Sequence, residues 1–254
     1  MKEFVEILGQ QIAYEVTGSG EKKALVLHGW GTNLETMGAV VRVLSSTHTV
    51  YAYDAPGFGD SPPPRNVWGT EDYARLCEAF AEHFHLEGAV AIGHSFGGKT
   101  LSIVGATSPQ LFSRLVLIDA SGVAPKRGLS YHVKVRAFKA AKALATLPYP
   151  KEEREERLKE FYRRHGSSDY RESDGIMRKV FVKVVNENTT SYFPRIAAPT
   201  LLIWGDKDED TPLWMGKVFE EKIPDAGLVI LSGGHYAFAE DYITFASVLQ
   251  SFTS

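Results

Sequence analysis

The chain has 254 residues, 44% of them apolar, and a formal net charge of −3. That much apolar side chain builds a sizeable core and excludes a disordered chain, while the lack of a basic excess weighs against nucleic acid or an anionic membrane as partner. A small-molecule partner fits better. Cys77 is the only cysteine, so no internal disulfide framework exists, and its setting in "YARLCEAFAEHF" has the spacing of a helix core residue rather than a nucleophile. The opening segment lacks the continuous apolar centre of a signal peptide, and no apolar run approaches the roughly 18 residues of a membrane span. The expected location is cytoplasmic, with no membrane insertion; the oligomeric state is not legible.

In chain order, "FVEILG" and "QIAYEVTG" predict an antiparallel hairpin at one sheet edge. Short apolar, β-branched runs follow at "KALVLHG" (23–29), "TVYAYD" (49–54), "AVAIGHS" (89–95), "RLVLIDAS" (114–121), "PTLLIWGDKD" (199–208) and "GLVILSGGH" (227–235). Most are continuous rather than alternating, as in strands buried on both faces of a parallel sheet. Between them "TEDYARLCEAFAEHF" and "GGKTLSIVGAT" carry helical periodicity. This alternation predicts an α/β fold, a mostly parallel sheet with helices on both faces. From 122 to 193 no buried strand is legible, only helix-like, charge-rich sequence such as "KEEREERLKEFYRRHG". The expected organisation is therefore a core of residues 1–121 and 194–254 with a helical cap inserted over 122–193.

"AIGHSFGGKT" sets Ser95 between Gly93 and Gly97, after a strand and before a helix. A sharp strand-to-helix turn thrusts the serine hydroxyl out at the top of the sheet, and glycines are needed where the two elements pass closely. Such a serine becomes a nucleophile only with a base, and the base needs a carboxylate to fix its tautomer. His235, in "LSGGHYAFAED", ends the last strand run and is the best base; His28 and His94, at other strand ends, read as loop-shaping or pocket-wall residues. For the acid, Asp206, Asp208 and Asp210 all follow "PTLLIWG". Asp208 is favoured because Asp206 falls in the tight turn and Asp210 stands beside a helix start; Asp119, after "RLVLI", is a rival. The order Ser95, Asp208, His235 is the order of a hydrolase sheet. Attack on a carbonyl creates an oxyanion, for which the backbone N–H groups of Phe96 and of Trp30 in "HGWGTN" are the expected donors. Trp68, Tyr131 and Phe138, with Leu144 and Phe181, are candidate pocket residues. No histidine pair has metal-ligand spacing, so neither metal nor cofactor is expected.

"HGWG", "DAPGFGDS", "GHSFGG", "WGDKDEDTP" and "GGHYAFAE" occur in the order of the signatures of the α/β-hydrolase family, and the chain resembles its serine-nucleophile, capped, esterase-like branch over essentially its whole length. The resemblance implies the α/β-hydrolase fold, nucleophile Ser95, acid Asp208, base His235 and oxyanion donors Trp30 and Phe96. A serine at the turn departs from the haloalkane dehalogenase and epoxide hydrolase branches, whose nucleophile is aspartate. The expected activity is ester hydrolysis of a small, mainly apolar substrate through an acyl-enzyme. Lipase-like, lactone and diketone carbon–carbon bond hydrolysis would use the same machinery, and a slow-turnover small-molecule receptor is the reading of another class.

Overall fold

In the computed structural model, residues 2–125, 129–147, 149–150, 153–154, 156–157 and 175–254 are described. Eight strands form one sheet: β1 (Glu3–Ile7), β2 (Gln10–Thr17), β3 (Lys22–Leu27), β4 (His48–Tyr53), β5 (Ala89–His94), β6 (Phe112–Ile118), β7 (Thr200–Gly205) and β8 (Ala226–Leu231), in the order β1-β2-β4-β3-β5-β6-β7-β8. The β1–β2 hairpin pairs antiparallel, β2 joins β4 antiparallel, and the rest is parallel. The expected mostly parallel α/β sheet is present.

The α-helices with described bounds are α1 (Gly38–Leu44), α2 (Thr70–His83), α3 (Phe96–Thr107), α4 (Leu129–Thr146), α5 (Gly175–Asn186), α6 (Leu213–Lys222), α7 (Ala237–Glu240) and α8 (Tyr242–Thr253). Strand periodicity sorts them onto two faces. Leu25, Leu27, Ala91, Leu115, Leu117, Leu202 and Trp204 point to the side of α2, α3 and α6, whereas Ala24, Val26, Ile92, Val116, Ile118 and Ile203 point to the side of α1, α7 and α8. Each fully buried Leu or Ile contributes about 2 kcal/mol of transfer free energy, so two-sided burial fixes the register of the central strands. That is why β5 and β7, buried at every position, read as unbroken apolar runs. The last strand differs from the continuous-burial reading. Among the described residues β8 pairs only with β7, and Ile230 is 49% exposed, because cover over the sheet thins at its edge.

Topology also fixes where a ligand fits. β3 lies between β4 and β5, and the chain crosses over on leaving β4, so the loops after β3 and β5 part to opposite sides and leave a crevice at the strands' carboxyl ends. In the segment 122–193, α4, α5, 153–154 and 156–157 are helical, and none of the described residues there is in a strand. No described helix is long and apolar enough to cross a membrane.

Candidate active site

Ser95 joins β5 to α3 with φ 49° and ψ −108°, a left-handed backbone that an L residue adopts at a cost of about 1–3 kcal/mol. The surroundings impose it. Ser95 N–H donates to the Ile118 carbonyl at 2.9 Å, and the Ser95 carbonyl accepts from Ser121 N–H at 3.1 Å, locking the turn onto the end of β6. A Cβ on Gly93 would lie 2.5 Å from the backbone carbon of Gly97, and one on Gly97 would lie 2.6 Å from the Leu27 carbonyl oxygen. The two glycines are thus set by backbone contact rather than by flexibility.

The Asp208 carboxylate is buried in the turn after β7. Its Oδ1 accepts from the N–H of Asp210 at 2.8 Å and of Thr211 at 3.0 Å; its Oδ2 accepts from Thr211 Oγ1 at 2.7 Å and from His235 Nδ1 at 2.8 Å. Burial works against its ionisation, but the bonds from His235 and Thr211 outweigh it and hold the acid well below its usual range. With the Nδ1 proton held by Asp208, the lone pair of His235 resides on Nε2, the tautomer a base requires. Among the three neighbouring acids, Asp206 acts on His235 indirectly: its Oδ1 accepts from Gly233 N–H at 2.9 Å and pins the loop before His235. Asp208, Asp210 and His235 bring ligand atoms within 4.8 Å of one another, a spacing a cation accepts. The Asp208 lone pairs and His235 Nδ1 are, however, already engaged in the bonds above.

Asp119 does not reach His235. It sits fully buried behind Asp208, its Oδ1 accepting from Gly205 N–H at 2.8 Å and its Oδ2 meeting no donor. Burial first, and then the neighbouring Asp208 carboxyl, push it up to about 9, so it is neutral at pH 7. Its folded-state value lies above the unfolded 3.8, so the folded chain holds one more proton between about pH 4 and 9, and stability falls as pH rises through that window. Asp119→Asn keeps the shape without the charge. We expect it to flatten the decline of Tm between pH 5 and 8.5 in thermal melts; a slope equal to that of the wild type would contradict a neutral Asp119.

Sequence reasoning placed His28 and His94 near the site without assigning their bonds. His28 Nδ1–H donates to the Gly29 carbonyl at 2.7 Å and Nε2 accepts from Ala55 N–H at 2.9 Å, so this ring is neutral and ties the loop after β3 to the loop after β4. His94 Nε2–H donates to the His235 carbonyl at 2.8 Å, and its ring packs 4.7 Å from that of His235. His94 thereby positions the candidate base, and burial lowers it to about 3, which keeps it neutral.

A cavity of about 310 Å³ opens at this edge, lined by Ser95 and His235 together with Gly29, Trp30 and Phe96. Among the described residues, the backbone N–H groups of Trp30 and Phe96 have no acceptor. The Trp30 ring, wedged 4.8 Å from Phe58, 5.3 Å from Phe96 and 5.3 Å from Phe181, holds its loop against α3 and α5. Of the pocket candidates, His94 and Phe181 line this cavity. His28 borders a smaller one, and Trp68 packs 5.1 Å from Tyr73. Phe138, half-buried on α4, is not among the lining residues, and Leu144 is 77% exposed. The Tyr131 side chain lies outside the described residues. The rest of the apolar wall comes from Val123, Val184, Val185 and Met215, of which the first three lie in the 122–193 segment.

Comparison with known proteins identifies the family to which this fold belongs. The chain is 24% identical over 242 residues to the uncharacterized hydrolase YugF of Bacillus subtilis, covering 88% of this chain and 86% of that one. Its fold is similar to a hydrolase of Pseudomonas aeruginosa (TM-score 0.76, 22% identity, 99% and 97% of the two chains) and to an esterase of Exiguobacterium antarcticum (TM-score 0.77, 20% identity, 100% and 99%). The model of the alpha/beta hydrolase fold family matches residues 25–242. With eight strands in that sheet order and the match spanning all but the two ends, the chain belongs to the alpha/beta hydrolase family.

Proposed function

We propose that the protein is a serine hydrolase, a carboxylesterase acting on small acyl substrates, and that Ser95, His235 and Asp208 are its catalytic triad. The observation that carries this reading is the 2.8 Å bond from His235 Nδ1 to a buried Asp208, with His235 and Ser95 lining one cavity. His235 Nε2 takes the Ser95 hydroxyl proton as Oγ attacks the ester carbonyl carbon. The tetrahedral oxyanion accepts hydrogen bonds from the N–H groups of Trp30 and Phe96, each donor lowering the barrier by about 2.7–4 kcal/mol. His235 returns the proton to the departing alkoxide and the acyl-enzyme remains. Water, deprotonated by His235, then attacks the acyl carbon, and Ser95 leaves reprotonated with release of the acid.

In this reading residues 122–193 act as the cap, with α5 closing one wall through Phe181, Val184 and Val185. A 310 Å³ space walled mostly by apolar groups suits a short acyl chain better than a macromolecule. Steady-state release of 4-nitrophenol from short-chain esters tests the activity: saturable turnover is expected of the wild type, and no rate above background would refute the proposal.

A further inference from the structure

Lys99 is a buried cation that the mechanism above does not use. It follows Ser95 by four residues, about one helical turn and 6 Å further along α3, and lines the same cavity. Only 3% of it is exposed. Its Nζ donates to the carbonyls of Val184 at 2.6 Å and Glu187 at 2.9 Å, at the C-terminal end of α5. Both partners are neutral. The nearby Glu187 carboxylate is committed elsewhere, accepting from Thr70 N–H at 2.8 Å and Thr70 Oγ1 at 2.6 Å. An ammonium has three N–H donors, and among the described residues the third has no acceptor.

Capping the end of α5 accounts for two of those donors and for the favourable helix dipole, but no carboxylate bonds to Nζ, and the Glu187 charge beside it offsets only part of the cost of burial. An anionic group entering the cavity would offset the rest. We infer that Lys99 recognises a carboxylate at the distal end of the substrate's acyl chain, so that the preferred substrates are half-esters of short dicarboxylic acids. This rests on the proposed ester hydrolysis at Ser95 and narrows its substrate class. The spacing asks for a linker of a few methylenes: the scissile carbonyl sits at Ser95, the apolar wall of Val123, Val184 and Met215 takes the chain, and the carboxylate ends beside Lys99.

Burial lowers Lys99 to about 8, opposed by the Glu187 carboxylate beside it, so its charge is lost as pH rises through that value. Asp210 and His235 share the cavity. The test compares kcat/KM for mono-4-nitrophenyl adipate and 4-nitrophenyl heptanoate in the wild type and in Lys99→Met, from pH 7 to 9.5, with spontaneous hydrolysis subtracted. The wild type is expected to prefer the adipate by at least about tenfold at pH 7, the ratio falling toward one by pH 9.5. In Lys99→Met the ratio is expected to stay near one throughout. If that variant does not fold, the wild-type pH series decides. Turnover of both esters with a wild-type ratio near one at pH 7, or a ratio unchanged in Lys99→Met, overturns the inference and leaves the hydrolase intact. Turnover of neither overturns both.

Discussion

Replacing Ser95 by alanine is expected to lower kcat for 4-nitrophenyl butyrate by about 10⁴-fold or more, with KM changed far less. The substitution removes only Oγ. The N–H groups of Trp30 and Phe96 and the cavity walls stay in place, so substrate still binds, and the residual rate above water is what those groups supply alone. The backbone is expected to be undisturbed, because alanine inherits the same positive φ and the turn is locked by Ile118 and Ser121 rather than by the hydroxyl. Circular dichroism and thermal melts that match the wild type, beside the lost turnover, separate loss of the nucleophile from loss of fold.

Asp208→Asn carries the second large effect, a fall in kcat of about 10⁴-fold. The aspartate accepts four hydrogen bonds, and the asparagine amide nitrogen accepts none, so one side of the network must fail. If the amide nitrogen faces His235, its N–H meets Nδ1, draws the lone pair there and moves the ring proton to Nε2, the atom that must take the proton from serine. If it faces Asp210 and Thr211 instead, the two N–H groups of the amide meet two backbone N–H groups with no acceptor between them. Neutral, buried Asp119, which has no bond to His235, is not in position to substitute. Turnover measured side by side in Asp208→Asn and Asp119→Asn should therefore fall steeply only in the first; the reverse result would move the acid to the end of β6.

Much of this was legible because the determining signals are local. The glycines at 93 and 97 report a backbone collision that any side chain would cause, and the apolar runs of β3 to β7 report burial on two faces. The choice of Asp208 over Asp206 and Asp210 rested on turn and helix-start positions, and the bond to His235 is formed by the residue those positions favoured. What stayed hidden depends on partners distant in the chain. Nothing near Lys99 in sequence announces carbonyls 85 and 88 residues away, and nothing near His94 announces a bond to a carbonyl 141 residues on. The pocket wall was legible only in part, at His94 and Phe181, for the same reason. Trp68 and Phe138 have the composition of lining residues, but Trp68 packs against Tyr73 of α2, and the cavity is walled by Val184, Val185 and Met215.

The most direct test of the whole account is covalent trapping. A fluorophosphonate phosphonylates only a serine whose proton a neighbouring base removes, with fluoride leaving as phosphorus bonds to Oγ, and the oxyanion donors receiving the phosphoryl oxygen. Peptide mass mapping of the treated wild type should find one adduct per chain, on Ser95, and His235→Ala should lose it. An unmodified Ser95 in folded wild-type protein, or an adduct formed equally well without His235, would contradict an activated serine and leave a binding protein on a hydrolase fold.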